Sequence, residues 1–407
     1  MTVVPDGVPP DLFSDGELGA LSEAGIALFA GRVVLEAQPP IDDAVLGAVA
    51  ERCAGPLPEP LIALWRTAFG GRLDYDLRAD LEGHDVTVSF SELFYPGSGG
   101  YHDLWGWVDH ECALAEEHWP DWSGRLVHLP IGGFEYLERV YVDTATGPEH
   151  GVVDCWRQGL PAGWELQAGD RIGRMADDLR ALFGQLMLEH DPWALEDDAI
   201  EAGVDLRDAV DDLAGGTDPH ARTAAEKLRR LVQATVLDWR GALDQGTLVA
   251  QRRLRRLALG RAAAGDDVES LARLVAVGCD PSEEVYNGLT PIDVALRDGA
   301  TAAVRWLLDQ RVPVENSLQD GAHAVDLDLA RDLVDRGAMI NATALSRALD
   351  NQDLEVVQLL ARAVQPDDTL AGLVPRLRML AAQAGQDRDR SAVLAELADR
   401  FDPNHSV

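Results

Sequence analysis

The feature that most constrains the fold is a pair of adjacent apolar residues that recurs through the C-terminal third of the chain. The pairs are separated by 33, 26 and 26 residues. Apolar pairs repeated at such intervals indicate helical units that bury their apolar faces against neighbouring units. The alternative is a chance set of amphipathic helices. The pairs are Leu274-Val275, Leu307-Leu308, Leu333-Val334 and Leu359-Leu360.

One of these units has a well-defined helix start. In NGLTPIDVALRDGA (287–300), Thr290 is a favourable N-cap, Pro291 fits the first helical turn and Gly299 ends the helix. These residues and the repeat spacing resemble the ankyrin repeat. The resemblance implies an array without chemistry of its own, which presents side chains to other proteins from hairpin tips and a concave helical face.

The turn between the first two repeats is CDPSEEVYNG (279–288), and the resemblance places it at a hairpin tip. We therefore expect its polar side chains to be exposed and to contact a partner. A solvated polar turn without a partner is the alternative. The candidate partner-binding residues here are Asp280, Glu283, Glu284, Tyr286 and Asn287.

The N-terminal half mixes the periods of helices and strands. LPEPLIALWRTAFGG (57–71) has the apolar spacing of a helix, which the Gly-Gly pair ends. LERVYVD (137–143) and GVVDCW (151–156) are typical of two strands joined by a turn-rich loop. DDLRALFGQLML (177–188) has the pattern of a closing amphipathic helix.

This order of elements resembles the SUKH superfamily over roughly residues 33–190. The resemblance departs at Phe69, where an asparagine often precedes the glycines, and over 78–122, which is longer and richer in tryptophan. It implies an antiparallel sheet with flanking helices. The bacterial members are largely immunity proteins that bind and neutralise secreted toxins, and fungal members include regulators of cell-wall synthesis. Ankyrin-repeat proteins recur as immunity proteins in the same toxin systems, so the resemblances at both ends imply binding, no enzymatic activity and no cofactor.

The segment YHDLWGWVDHECALAEEHWPDW (101–122) combines tryptophans with carboxylates. Because Trp105 and Trp107 alternate, we predict a strand with both rings on one face, followed by a helix. Tryptophans ringed by carboxylates suit a basic partner surface, whereas burial in the core is the alternative. The candidate partner-binding residues here are Asp103, Trp105, Trp107, Asp109, Glu111, Glu116 and Glu117.

Negative charge is concentrated in the N-terminal half. Residues 1–200 hold 36 acidic and 11 basic side chains, a net charge of −25 out of −35 for the whole chain. Such a field repels nucleic acid and attracts a basic protein, although acidic composition also favours solubility alone. We therefore predict no nucleic-acid partner.

No pattern of a metal or catalytic site is complete. His102, His110, Cys112 and His118 have no compact ligand spacing, and no nucleophile motif is present. The four cysteines lie far apart, and no apolar run is long enough for a membrane span. We therefore expect no metal, no membrane partner and a cytoplasmic location.

These inferences define three regions. We predict an acidic α+β SUKH-like domain over 1–200, a helical connector over 201–250, and an all-α ankyrin array with a helical cap over 251–407. The expected function is neutralisation of a basic toxin domain, possibly a nuclease, by occluding it. A scaffold or regulator with several partners is the alternative, and an enzyme built around the histidines of 101–122 is the third.

Overall fold

A computed structural model describes most of the chain, and it divides into two compact units, Met1–Leu237 and Asp238–Val407. The first unit holds every described strand, and the second is helical. The predicted order of an α+β region followed by a helical region is therefore confirmed at that level. The described residues are 9, 12–81, 84–98, 103–134, 138–157, 172–195, 201–351, 353–364, 368–384 and 387–403.

The strands of the first unit form one larger sheet and two hairpins. The six-stranded sheet has the order β10-β9-β8-β7-β6-β3 with antiparallel neighbours, whereas β1-β2 and β4-β5 pair separately. The strands are β1 (Ala27–Phe29), β2 (Arg32–Val34), β3 (Gly71–Arg72), β4 (Leu77–Leu81), β5 (His84–Val88), β6 (Glu92–Leu93), β7 (His128–Phe134), β8 (Glu138–Asp143), β9 (Val153–Arg157) and β10 (Ile172–Ala176).

Seven α-helices accompany these strands in the described part of the first unit. The predicted early helix, the β8-β9 strand pair and the closing helix are confirmed as α3, β8-β9 and α5. The helices are α1 (Asp15–Glu23), α2 (Asp43–Arg52), α3 (Glu59–Thr67), α4 (Leu104–His118), α5 (Leu179–Gln185), α6 (Val204–Gly215) and α7 (Pro219–Gln233).

The two faces of the large sheet differ in chemistry. In β8 and β9, Val140, Val142 and Val153 point into the main apolar core, which they share with α3 and α5. Because side chains alternate along a strand, the intervening positions point the other way. That opposite face is polar and aromatic, and it carries Arg139, Tyr141, Asp154 and Trp156.

The Gly70-Gly71 pair lies between α3 and β3, at a point where steric crowding requires glycine. Both glycines adopt positive φ, +118° and +141°. A Cβ at Gly70 would lie 2.2 Å from the Tyr95 ring, and one at Gly71 would lie 2.7 Å from the Leu35 carbonyl oxygen. Helix α3 itself ends at Thr67, with Ala68 as an extended C-cap, so the prediction that the glycine pair ends the helix is wrong. Close packing and positive φ require the glycines beyond that end, where the chain enters β3.

The predicted connector, 201–250, is shared between the two units. Helices α6 and α7 belong to the first unit, where α7 packs against α1 and β2. The only lysine in the chain, Lys227 on α7, donates to both carboxylate oxygens of Glu17 on α1 at 2.7 and 2.8 Å. Burial opposes ionisation of Glu17, but hydrogen bonds from Lys227 and Ser14 outweigh it and lower its pKa.

The second unit is built of consecutive helix pairs. The first helices of the pairs, α9, α11, α13 and α15, pack in series, while α10 packs on α12 and α14 on α16. The helices are α8 (Trp239–Asp244), α9 (Arg252–Ala264), α10 (Val268–Ala276), α11 (Pro291–Arg297), α12 (Thr301–Asp309), α13 (Ser317–Gly321), α14 (Leu327–Asp335), α15 (Ala342–Asn351), α16 (Leu354–Ala363), α17 (Asp368–Ala371), α18 (Val374–Gln383) and α19 (Arg388–Phe401).

The recurring apolar pairs lie on the second helix of each of the first four pairs. Each contributes at least one fully buried side chain, namely Leu274, Leu307, Leu333 or Leu360. The predicted helix start at Thr290 is confirmed, because the Asp293 carboxylate accepts hydrogen bonds from Thr290 N and Oγ1 at 2.9 and 2.7 Å. Asp293 is buried and also accepts from Ser317 Oγ at 2.9 Å, so one carboxylate joins α11 to α13.

The turns that leave α10, α12 and α14 require the same backbone conformation. Gly278 and Gly337 have φ of +105° and +95°, and the equivalent residue after α12 is Arg311 at +62°. A side chain with a Cβ is strained in this left-handed region, whereas glycine adopts it freely. The α11-α12 pair, which begins with the well-defined helix start at Thr290, is therefore followed by a strained residue.

We expect Arg311→Gly to raise the free energy of unfolding of the second unit by about 0.5–1 kcal/mol, because relief of the left-handed strain exceeds the entropy that glycine adds to the unfolded chain. Gly337→Ala is the matched control. Its Cβ would meet no atom within 4 Å, so it should lower stability through the backbone alone. Urea unfolding of the three proteins checks both signs, and a less stable Arg311→Gly variant would contradict the strain.

We expect Lys227→Met to lower the free energy of unfolding by about 2–3 kcal/mol at pH 7, since it leaves a buried carboxylate unpaired. The cost should be much smaller when Glu17→Gln is already present. Because the pKa of Glu17 is lowered, this coupling is present above the ordinary value of 4.5 and is lost as pH falls through the lowered pKa. A double-mutant cycle by urea unfolding at neutral and acidic pH tests it, and additive effects at pH 7 would contradict the pairing.

Candidate functional site on helix α4 and the sheet

The segment predicted to place Trp105 and Trp107 on a strand is helical. The whole of α4 lies within it. The N-cap of α4 is Asp103, whose Oδ1 atom accepts from Gly106 N at 2.7 Å. The strand prediction is therefore wrong, because residues two apart on a helix point in different directions. A capping aspartate followed by apolar residues at Leu104 and Val108 was the signal that favoured a helix.

The helix turns two of the predicted partner-binding residues inward. Trp107 is buried and stacks on Phe94, with ring centroids 5.8 Å apart. Glu111, one turn later, is also buried and is only 7% exposed. Neither side chain can meet a partner on the surface, so the partner-binding prediction is wrong for Trp107 and Glu111. Trp105 is half-buried against the same core.

The buried side of α4 meets a fully buried arginine of the sheet. The guanidinium of Arg139 on β8 lies between two indole rings, 4.4 Å from the Trp107 centroid and 4.2 Å from that of Trp156. Each ring face attracts the cation, and the attraction is strengthened where water is excluded. Its Nη atoms have no hydrogen-bond partner among the described residues, so the aromatic rings and one carboxylate must compensate for the buried charge.

A short hydrogen-bond chain joins this arginine to α4. Arg139 Nε donates to Tyr141 Oη at 2.8 Å, and the Tyr141 hydroxyl donates to Glu111 Oε1 at 2.9 Å. The same Glu111 oxygen lies 3.3 Å from Arg139 Nε. Burial, opposed by the Arg139 charge and the Tyr141 hydrogen bond, raises the pKa of Glu111 to about 7. Burial and the nearby Glu111 charge raise the pKa of Tyr141 well above its ordinary value.

The polar face continues past this chain to a second pair of titratable groups. His128 Nδ1 on β7 lies 3.7 Å from Asp154 Oδ2 on β9, and the His128 ring lies beside that of Tyr141. Burial raises the pKa of Asp154, while the His128 charge opposes the shift. Sequence reasoning identified the two strands but missed this face. The alternation of charged and aromatic residues in ERVYVD and VDCW was the signal for it.

The opposite side of α4 faces solvent and carries most of its carboxylates. Asp109 has a side chain 68% exposed and pairs with Arg52 at 2.7 Å, and Glu116 and Glu117 are exposed two turns later. Half-buried Trp105 and Trp119 lie at the two ends of this surface. We call Trp105, Asp109, Glu116, Glu117 and Trp119 the outer face of α4. Four of the seven residues predicted to bind a partner in 101–122 lie on this face. Asp103 serves as the N-cap of the helix instead.

The residues predicted to bind a partner in the second unit differ in exposure and in the contacts that they make within the protein. Glu283 is held by Arg255, at 2.6 and 2.7 Å, and by Arg256, so it is not free for a partner. Asp280 is exposed but accepts hydrogen bonds from Ser282. The remaining three lie in the turn: Glu284 accepts from Gly288 N, Tyr286 stacks 5.6 Å from the Arg297 guanidinium, and Asn287 is exposed at φ +50°.

The histidines of 101–122 form no cluster that the structure describes. His102 lies outside the described residues, and so does the side chain of His118. No group of three or more His, Cys, Asp or Glu in the described ranges is placed to hold a metal ion. Within those ranges, too, no helix has the length and apolar character needed to cross a membrane.

No protein-family model matches the chain, and no curated protein matches it. The chemistry of a partner is therefore inferred from the protein's own side chains, above all from those on the two sides of α4.

We expect Arg139→Lys to lower the free energy of unfolding of the first unit by about 2 kcal/mol, because a lysine keeps the buried charge but loses the planar group that stacks between two indoles. Arg180→Lys is the control. Arg180 pairs with an exposed Glu59, so the change there should stay within about 0.5 kcal/mol. Urea unfolding followed by tryptophan fluorescence measures both, and equal stabilities of the two variants would show that the stacked geometry contributes nothing.

Proposed function

We propose that this protein is a non-enzymatic binding protein that engages a basic protein through the outer face of α4. The observation that carries the proposal is that Asp109, Glu116 and Glu117 are exposed on one side of a helix whose other side is fixed to the sheet. Half-buried Trp105 and Trp119 border these carboxylates. Aromatic anchors beside exposed charge suit a partner that is basic and partly apolar.

The charge of the surrounding region supports the same partner chemistry. With 36 acidic and 11 basic side chains in 1–200, the region attracts a cationic surface from a distance. Attraction of this kind raises the rate of association and weakens as salt is added. A nuclease active site, which must attract phosphates, is one surface with the required positive charge.

We propose further that the chain is a cytoplasmic immunity protein, with a SUKH-like first unit and an ankyrin-like second unit. The antiparallel sheet with its Gly70-Gly71 turn supports the first resemblance. The stacked helix pairs and the Thr290 helix start support the second. On this proposal the partner is a toxin domain, which is neutralised when the protein covers its active surface.

We expect removal of three charges from the outer face to weaken partner binding about tenfold or more. The variant is Asp109→Asn, Glu116→Gln and Glu117→Gln in the full chain, and each lost contact is worth roughly 0.5 kcal/mol or more. The matched control removes three exposed carboxylates from α6 and α7 instead, by Asp208→Asn, Asp212→Asn and Glu226→Gln. The partner is first captured from the source cells at low salt, and its affinity is then measured by calorimetry at two salt concentrations.

Capture of one dominant basic protein, with binding lost in the α4 variant and kept in the control, would support the proposal. Equal binding by both variants would show that the partner contacts a surface other than the outer face of α4. Many weak partners insensitive to either variant would favour the scaffold alternative.

A further inference from the structure

The turn between α10 and α11 contains a dipeptide whose two residues can react with each other. Asn287 is the only one of the five asparagines in the chain that is followed by glycine. Both Asn287 and Gly288 are exposed. Because glycine has no Cβ to crowd its main-chain nitrogen, that nitrogen can approach the side-chain amide of the preceding asparagine more closely than in any other pair.

The two residues form the corner of a tight hairpin. Both have positive φ, +50° at Asn287 and +77° at Gly288, as a type I′ turn requires. Leu289 N donates to the Tyr286 carbonyl oxygen at 2.8 Å, and Val285 N donates to the Leu289 carbonyl oxygen at 2.7 Å. The backbone on both sides of the bond between Asn287 and Gly288 is therefore held in place.

A side chain holds the nitrogen of this bond as well. Gly288 N donates a hydrogen bond to Oε1 of Glu284 at 2.9 Å. A hydrogen bond to a carboxylate is stronger than one between neutral groups. Removal of the Gly288 proton would leave two negative charges in contact, so the Glu284 carboxylate opposes the loss of that proton.

We propose that Asn287 is a site of spontaneous deamidation, and that the Glu284 carboxylate slows the reaction by holding the proton on Gly288 N. The nitrogen attacks only after it has lost this proton, so the group that retains the proton controls the rate. The reaction belongs to the free protein and does not depend on the partner-binding role proposed for α4.

The reaction requires only hydroxide ion and water. Hydroxide removes the proton from Gly288 N, and the nitrogen then forms a bond to Cγ of Asn287. The bond from Cγ to Nδ2 breaks, and Nδ2 takes a proton from water and leaves as ammonia. Water adds to one of the two carbonyl carbons of the cyclic imide and opens the ring. The product is an aspartate or an isoaspartate at position 287.

The modified turn differs from the original in charge and in length. A neutral amide is replaced by a carboxylate close to that of Glu284, and the two like charges repel each other. In the isoaspartate the main chain runs through the former side chain, so it gains one carbon atom within the hairpin. Such a change falls between α10 (Val268–Ala276) and α11 (Pro291–Arg297), where two successive helix pairs are joined.

The test is incubation of the full-length protein at pH 7.5, with peptide mapping by mass spectrometry to follow replacement of the Asn287 amide. Glu284→Ala removes the acceptor and should deamidate about tenfold faster than the wild type, as loss of a hydrogen bond to a charged group implies. Glu284→Gln keeps an oxygen acceptor without the charge, so its rate should lie between the two. Asp335→Ala removes an exposed carboxylate elsewhere in the second unit and should leave the rate unchanged.

The synthetic peptide EEVYNGLTPID (283–293) gives the rate without the folded turn. A Glu284→Ala rate equal to or below that of the wild type would overturn the proposal, and a lower rate would mean that the carboxylate assists the attack. Absence of any product at position 287 in Glu284→Ala, over the period in which the peptide is converted, would also overturn it. If Glu284→Ala does not fold, equal rates for the peptide and the wild-type protein have the same meaning.

Discussion

The buried guanidinium of Arg139 is the constraint on which the first unit depends. A charge that is fully removed from water needs a countercharge and aromatic contact, and β8 and β9 supply only Tyr141 and Trp156. Helix α4 supplies the rest with Trp107 and Glu111. These two residues are one turn apart, so meeting the arginine fixes the rotation of the whole helix. The same rotation turns Asp109, Glu116 and Glu117 to solvent, so the acidic outer face is a consequence of the buried pair.

Local patterns predicted much of the fold. The apolar pairs and the helix start at Thr290 depend on residues close in sequence, and the structure confirms the helices that they predict. The strand predicted around Trp105 is wrong. An alternation of two tryptophans favours a strand, whereas the capping aspartate and the apolar spacing favour a helix. Over a short stretch the two periods compete, and the packing partners of α4 decide between them.

The candidate site was predictable only in part. The carboxylates of 101–122 were identified as a group, but their division into buried Glu111 and exposed Asp109 depends on the helix. The cluster itself joins positions 107, 111, 139, 141 and 156, which are brought together by strand pairing and helix docking. The hydrophobic periodicity of a short segment does not indicate contacts between residues that are far apart in the sequence. In the second unit, the same limit applies to Glu283, whose arginine partners lie 27 and 28 residues earlier in the chain.

The Lys227 pair has a consequence for covalent chemistry. Thirty-four of the thirty-five basic residues are arginines, so the chain offers a single side-chain amine to acylating reagents, crosslinkers and lysine-specific enzymes. That amine is held between the two carboxylate oxygens of Glu17, above the Phe13 ring. The Lys227 side chain is 28% exposed in this position, so reagents reach the amine more readily when the pair separates. The modification rate of one residue thus reports whether α1 is seated on α7, and the acidic surfaces of the protein remain untouched by amine chemistry.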